Sequence, residues 1–158
     1  MTISDAITPH WASSLLSAPA GRGATTPHGL PNLEKSIEFR LGPEHTPFQS
    51  VRRARRFAST VLPALLADAP NVKAVGEAAL AVLTELVDVT ARHRASVDLS
   101  GRVSYDGDHV LITVGEMDRP LPAPEEEPGL FLVHRLTDDV GQYRGDEAGN
   151  VTWVSVPL

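Results

Sequence analysis

Apolar and polar residues alternate along this chain with two different periods, and each period predicts one kind of element. Ile37, Phe39 and Leu41 alternate with charged residues, which is the period of a half-buried strand. The dipeptide Gly42-Pro43 follows directly and is a strong break signal. We therefore predict a strand that ends at Leu41.

Two stretches then show the period of a helix. Thr46-Pro47 has the pattern of an N-cap followed by proline in the first turn, and apolar residues recur at helical spacing as far as Leu65. Pro63 predicts a kink near the end of this first helix. After a break at Ala69-Pro70-Asn71, a second and longer helix is predicted to run to about Arg94.

The period of two returns after the second helix. Alternating residues in 97–105 and 110–114 flank the turn Asp106-Gly107-Asp108, which predicts an antiparallel meander. A short helix is predicted over 130–136, and a last hairpin over 140–144 and 151–156. Helices grouped beside mainly antiparallel strands favour an α+β fold, a two-layer α/β sandwich with the helices on one face.

The first 34 residues differ from the rest. They contain four prolines and show no sustained periodicity, so we predict a flexible tail over 1–34 and one domain over 35–158. Within the tail, Trp11, Leu15 and Leu16 fall at helical spacing. Docking onto a partner and folding back onto the domain are both open for them, and we favour an incidental apolar patch.

Composition excludes several classes of protein. With 158 residues, 42% of them hydrophobic and 22% charged, the chain suits one globular domain. No apolar run approaches the roughly 18 residues of a membrane span, and the start lacks the pattern of a secretory signal. The sequence contains no cysteine, which excludes disulfides and favours a cytoplasmic location. The six histidines are scattered, so we expect no metal site.

Net charge bears on possible partners. The formal charge of -6 disfavours non-specific binding to nucleic acid, because phosphates repel an acidic surface. Arg52, Arg53, Arg55 and Arg56 nevertheless form a basic run on the first predicted helix. No aromatic residue interleaves with this run, so we favour a solvated surface or one that faces an acidic protein partner over a DNA-binding one.

The segment 85–93 of the second predicted helix, ELVDVTARH, resembles the E-L-V-x-N-A-x-x-H motif of the GHKL ATPase superfamily, which includes gyrase and the histidine kinases. The order of elements over about residues 36–158 looks most like the small anti-sigma-factor serine kinases and their ATP-binding relatives in high-GC bacteria. Four motif positions match, and Val89 stands where the family has asparagine. The resemblance implies a GHKL (Bergerat-type) fold.

The substitution at Val89 affects the metal that the resemblance implies. In the family the asparagine binds Mg²⁺, and the glutamate four residues earlier, here Glu85, is the general base; residues i and i+4 share a helix face. Valine has no lone pair for a cation that prefers oxygen ligands. Asp88 and Arg92 lie on the same side as Val89, so we expect Val89 on an otherwise polar face. We expect Glu85 to be vestigial, either exposed or paired with Arg92.

Two further segments resemble nucleotide motifs with substitutions. Residues 114–122, VGEMDRPLP, stand in the place of V-x-D-x-G-x-G, with Glu116 at the position of the adenine-binding aspartate and Asp118 as a shifted candidate. Aspartate and proline replace the glycines and remove backbone freedom. Residues 125–133, EEEPGLFLV, match G-x-G-L-x-L-V only at Gly129, Leu130, Leu132 and Val133, and Glu127 replaces the first glycine.

In the family this second glycine turn and the helix N-terminus after it hold the phosphates. Three adjacent carboxylates would repel a triphosphate there. If a nucleotide binds, the resemblance places it against Glu85, Arg92, Glu116, Asp118, Gly129 and Leu130. We expect no cofactor, with ATP and Mg²⁺ as the alternative. His93 is interpreted as a histidine stabilised at the helix C-terminus.

The resemblance therefore implies a regulatory domain that binds another protein: a sigma factor, an anti-sigma antagonist or a transcription regulator. Such a domain would control transcription by sequestering its partner through the first helix and the adjoining sheet or loops, either as one copy or as a homodimer. The alternative is an active Mg-ATP-dependent protein serine kinase in which Asp88 or water replaces the lost ligand. Nucleotide binding without Mg²⁺ lies between the two, and DNA binding through Arg52 to Arg56 is a third possibility.

Overall fold

The computed structural model describes residues 35–147 and 149–158. The tail predicted over 1–34, with Trp11, Leu15 and Leu16, lies outside the described residues. In the described part, five strands and three helices follow one another in this order: β1 Lys35–Leu41, α1 Pro47–Leu65, α2 Val72–Arg92, β2 Leu99–Tyr105, β3 His109–Met117, α3 Gly129–Leu136, β4 Asp139–Arg144 and β5 Asn150–Pro157.

The strands form one antiparallel sheet in the order β1-β2-β3-β5-β4. One row across the sheet shows its register: Ile37 lies opposite Val103, which lies opposite Ile112, and Ile112 lies opposite Val154. All four residues belong to one apolar core together with the buried residues of the helices. The predicted α+β two-layer sandwich with helices on one face is confirmed.

The core lies between the sheet and the helices because every second strand residue points toward them. The strand residues that contribute buried side chains to it are Phe39, Leu41, Leu99, Val103, Tyr105, Val110, Ile112, Val114, Val154 and Val156. Helix α2 supplies the largest helical share and packs against α1, α3, β3 and β5. This central position fixes the residues of α2 that face α3.

Helix α1 begins as its sequence predicts. The Thr46 hydroxyl accepts a hydrogen bond from the backbone of Gln49 at 3.1 Å, and the Gln49 side chain accepts one from the backbone of Thr46 at 2.9 Å. This capping box satisfies two amides that the helix leaves free. Pro63 lies inside the helix, near its end.

Two boundaries differ from the prediction. Helix α2 ends at Arg92 and not near Arg94, because Arg94 forms an isolated β-bridge with Met117. Strand β2 begins at Leu99, and Val97 is 69% exposed. Arg94 continues the polar pattern of α2, and Val97 continues the apolar alternation of β2, but neither residue belongs to the element. Within the described residues, no helix has the length and apolar character needed to cross a membrane.

Candidate functional site

Charged side chains from α2 meet the segment that leads into α3. Asp88 and Arg92 are separated by one helical turn, and Glu127 precedes α3. Together with Glu85, these residues form what we call the Arg92 cluster. Helix α2 positions three of them, because residues three and four apart share a helix face.

Arg92 connects the two elements of the cluster. Its guanidinium donates two hydrogen bonds to the Glu127 carboxylate, Nη1 to Oε1 at 2.5 Å and Nη2 to Oε2 at 3.0 Å. It also donates to Asp88 Oδ2, from Nη2 at 3.0 Å and from Nε at 3.3 Å. The bidentate form matches the planar guanidinium to the planar carboxylate. The turn before α3 is therefore held against α2 by this contact.

The pKa values follow this pairing. The hydrogen bond from Arg92 is the main cause that lowers the pKa of Glu127 below its ordinary value, although partial burial acts in the opposite direction. The hydrogen bond to Glu127 is likewise the main cause that raises the pKa of Arg92. Both groups are charged at neutral pH, and each satisfies the other.

Glu85 faces α3 from a different position. A Cβ atom placed on Gly129 would overlap Glu85 Oε2, so the missing side chain of Gly129 is what leaves room for this carboxylate. Burial is the main cause that raises the pKa of Glu85, and the neighbouring charge of Asp88 adds to it. Arg92 forms its ion pairs with Asp88 and Glu127 rather than with Glu85, so the salt bridge considered for Glu85 is not formed.

Val89 lies in the same stretch of α2 and is 1% exposed. Its neighbours Glu85, Asp88 and Arg92 are partly exposed. The polar face expected around Val89 therefore exists, but the Val89 side chain is not exposed on it. This position offers no oxygen atom to a cation. Within the described part of the chain, no group of three or more acidic or histidine side chains has the geometry to hold a metal ion.

The turn before α3 uses its own amide groups. Glu126 and Glu127 donate their N–H groups to the carbonyl of Ala123 at 2.9 and 3.0 Å. Leu130 donates to Glu127 at 2.9 Å, and Phe131 donates to Pro128 at 3.0 Å. A phosphate-binding turn needs amides that point outward and are free. Here four of them are used within the turn, and proline at 128 has none.

Glu116 belongs to another part of the molecule. Its carboxylate accepts hydrogen bonds from the backbone of Gly149 at 2.8 Å and of Glu147 at 3.2 Å, so it stabilises the loop between β4 and β5. It lines a cleft of about 250 Å³ together with Arg102 and Tyr143. The structure thus does not bring Glu116 together with the Arg92 cluster.

Asp118 and His93 lie at the C-terminal end of α2. The Asp118 N–H donates to the carbonyl of His93 at 2.8 Å, while its carboxylate accepts from Arg119 at 2.9 Å. That bond is the main cause that lowers the pKa of Asp118. His93 Nε2 lies 3.8 Å from Glu127 Oε1, at the edge of the cluster. Leu130 is buried in the apolar core.

These contacts decide what the Arg92 cluster can do chemically. Three carboxylates and one guanidinium leave a negative surplus, and the one cation is already bound on two sides. A triphosphate brought to α3 would meet this surplus at a turn where four amides already donate to backbone carbonyls, and the Val89 side chain offers no ligand to a metal ion. The residues present do not fit a Mg²⁺-nucleotide.

A second charged region lies on α1 and is built differently. The basic face, as we name it, consists of Arg52, Arg53, Arg55 and Arg56, which are all exposed. Helix α1 contains no acidic residue. Among the described residues, no ion pair involves any of these four arginines. The positive charge of α1 is therefore directed to solvent.

The basic face has shape as well as charge. Arg52, Arg53 and Arg56 line a cleft of about 250 Å³ together with His45 and Gln49. The guanidinium carbon of Arg52 lies 5.9 Å from the ring centre of Phe48, which is within cation–π range. Phe48 itself is 70% exposed. The basic face therefore has an exposed aromatic ring at its edge.

Sequence reasoning missed two contacts. It treated Glu127 only as a repulsive charge and did not pair it with Arg92, because the two lie 35 positions apart and no local period links them. It also found no aromatic residue within the arginine run, although Phe48 precedes Arg52 by four positions. That i, i+4 spacing was the available signal.

Comparison with known proteins does not assign a family. No protein-family model matches the chain, and no curated protein matches it.

Proposed function

We propose that this chain is a regulatory domain that binds another protein and performs no nucleotide chemistry. The observation that carries this proposal is the bidentate ion pair between Arg92 and Glu127. It occupies the place where the GHKL resemblance would put the phosphates, and four amides at that turn donate to backbone carbonyls as well. No ATP and no Mg²⁺ are part of the proposed function.

The basic face of α1 is the proposed contact surface. Unpaired exposed arginines are free to bind, since no internal ion pair has to be broken first. Arginine and aromatic side chains are also the residues enriched at protein interfaces, and Phe48 lies beside Arg52. The partner that fits this surface has an acidic segment with an apolar side chain near it.

The resemblance to anti-sigma factors supplies the process. A domain of this kind would sequester a sigma factor, an anti-sigma antagonist or a transcription regulator and so control transcription, either as one copy or as a homodimer. Because the sequence contains no cysteine, we place this function in the cytoplasm. Nucleic acid is not the proposed partner, since the net charge is -6.

Binding of an acidic polypeptide tests the contact surface. We expect poly-glutamate to bind the full chain at low ionic strength, and the double variant Arg52→Glu/Arg56→Glu to bind at least roughly tenfold more weakly. The matched control is Lys73→Glu/Arg135→Glu, which reverses two exposed charges on the other helices and should retain binding. A duplex DNA of equal charge is titrated in parallel.

The outcomes separate the proposals. Equal binding by the two double variants, or no binding of poly-glutamate, would contradict the role of the basic face. Preference for the duplex with a steep loss in salt would favour the DNA-binding alternative. A protein captured by the wild type and lost with Arg52→Glu/Arg56→Glu can then be assayed for sequestration.

A further inference from the structure

The sheet face that points away from the helices contains buried apolar side chains. The strand residues that alternate with the core positions point to this side, which we call the open face. Leu111 lies there between Ser104 and Ser155 of the neighbouring strands. Two small neighbours leave a leucine on an uncovered sheet largely exposed, yet Leu111 is 1% exposed.

Trp153 makes the same point more strongly. It lies on the open face beside Thr113, and a Cβ on Gly141 would contact its indole ring, so one side of the ring rests on β4. An indole that lies flat on an uncovered sheet exposes its second side, a large part of its roughly 200 Å² of surface. Trp153 is only 2% exposed. Both sides of the ring are therefore covered.

Tyr143 and Arg102 extend the pattern. Tyr143 packs with Trp153 and Val151, and burial is the main cause that raises the pKa of Tyr143 to about 12; Asp146 and Glu116 raise it further and Arg102 lowers it. Arg102 and Trp153 each take part in a further polar or ring contact in addition to those given above. Side chains on neighbouring strands of this face thus share one covered region.

The described helices do not provide the cover. All three pack on the opposite side of the sheet, in the core that contains Val103, Ile112 and Val154. Arg102 forms an ion pair with Glu38 of the neighbouring strand, and the β4–β5 loop borders the same face at Gly145 and Asp146. The chain outside the description consists of residues 1–34 and a single alanine at 148, and one methyl group cannot cover several strands.

We infer that the open face is a docking surface and that its occupant is residues 1–34 of this chain. The segment is joined to the sheet at Lys35, the first residue of edge strand β1. Ser36 lies opposite Ser104, which lies opposite Leu111, so Leu111 is about 10 Å from the point of attachment, two strand spacings away. Three or four extended residues reach that far.

The composition of the segment suits this surface. Only Asp5, Arg22 and Glu34 carry a formal charge in 34 residues, and Trp11, Leu15 and Leu16 provide large apolar side chains. Burying such side chains against Leu111, Trp153 and Tyr143 stabilises the contact in proportion to the apolar area removed from water. The alternative occupant of the open face is a second copy of the chain. In that case the apolar side chains of residues 1–34 would not be buried against this face.

Photo-cross-linking of the full chain tests the occupant. Ser100 points to the open face and is exposed, so p-benzoylphenylalanine at this position should leave the fold intact. We expect cross-links from it to peptides within residues 1–34. The matched control places the same group at Ser59, an exposed position of α1, and should give none. Cross-links confined to residues 35–158, or to a second copy, would overturn the inference.

Protection of a cysteine gives a second measurement, and the absence of native cysteine makes it specific. Thr113→Cys should react with a maleimide at least roughly tenfold more slowly than Val97→Cys, whose position is exposed. The change Leu15→Asp/Leu16→Asp should remove this protection, whereas Ser13→Asp/Ser14→Asp, with equal added charge, should keep it. The inference would be overturned if Thr113→Cys alone were labelled fast, or if the two double changes in residues 13–16 had equal effects on its labelling.

Discussion

The Arg92 cluster and the basic face of α1 are both charged regions on helices, but they use their charges in opposite ways. In the cluster, Arg92 is held by Glu127 and Asp88 at distances of 2.5 to 3.3 Å. On α1, the four arginines form no ion pair with the described residues. Charges that are satisfied internally stabilise the fold, and unpaired charges are available for a partner.

The motifs alone imply that the functional residues lie on α2, whereas the pairing of charges favours α1. In α2, the helix with the recognisable motif, Arg92 is paired with Asp88 and Glu127. In α1, which has no such motif, the four arginines form no ion pair with the described residues. The proposed contact surface is therefore the helix whose charges are unpaired, and not the helix that contains the motif.

The largest effect is expected at Val89. Because this side chain is buried, Val89→Asn puts an amide group into a site that offers it few partners and should lower the free energy of unfolding by about 3 kcal/mol. We also expect that it does not confer Mg-ATP binding, since the turn before α3 remains closed. Denaturant unfolding and calorimetric titration measure the two effects. Strong Mg-ATP binding by this variant would show that the turn can open.

Arg92→Leu should have the next largest effect. It leaves the carboxylates of Glu127, Asp88 and Glu85 close together without a cation. Because the site is partly exposed, we expect a loss of about 1–2 kcal/mol in the free energy of unfolding. The matched control is Arg55→Leu on the basic face, which should change stability by less than about 0.5 kcal/mol. Equal losses in the free energy of unfolding for the two variants would show that the ion pairs of Arg92 do not stabilise the fold more than the unpaired Arg55 does.

Gly129→Ala tests the contact between α3 and Glu85. The added Cβ would overlap Glu85 Oε2, so the carboxylate has to move, at a cost of about 1 kcal/mol. In the background Glu85→Ala the same change should cost nothing or stabilise, because alanine favours a helix over glycine. A double-mutant cycle measured by chemical unfolding gives the coupling. Additive effects would indicate that the two residues do not touch.

The smallest effect is a pH dependence of opposite sign at Glu85 and Glu127. The raised pKa of Glu85 means that its charged form costs stability at neutral pH, and this cost disappears as the pH falls through the folded-state value. Glu85→Gln should therefore stabilise at pH 7 by a few tenths of a kcal/mol, with no gain below pH 4.5, its ordinary value.

Glu127 should behave in the opposite way. Its pKa is lowered, so its contribution is present above the ordinary value of 4.5 and is lost as the pH falls through the folded-state value. Glu127→Gln should lower the melting temperature at pH 7 and lose that effect in acid. Melting curves of both variants, measured from about pH 3 to about pH 7, test these two predictions. If both variants raised the melting temperature at pH 7, or both lowered it, the account would be contradicted.

Most of the fold could be predicted because it depends on local periodicity. The alternation in β1, the capping signal of Thr46 and the apolar face of α2 each determine an element from neighbouring residues. The exact ends were harder to predict. Arg94 continues the polar pattern of α2 but pairs with Met117 instead, a contact between residues that are distant in sequence.

The site was harder to predict for the same reason. Sequence alone predicts that Val89 cannot bind a metal, since that follows from the side chain. It does not reveal that Glu116 accepts hydrogen bonds from the β4–β5 loop or that Glu127 meets Arg92. Both contacts depend on the register of strands and on the approach of α3 to α2.

The central claim is that the Arg92 cluster is closed to nucleotides. Isothermal titration of the full chain with ATP and ADP, each with and without Mg²⁺, on protein checked for co-purified nucleotide, tests it most directly. The account predicts no binding heat under any of the four conditions. Mg²⁺-dependent binding would contradict it and support the serine kinase alternative, and binding without Mg²⁺ would contradict it in favour of a nucleotide sensor.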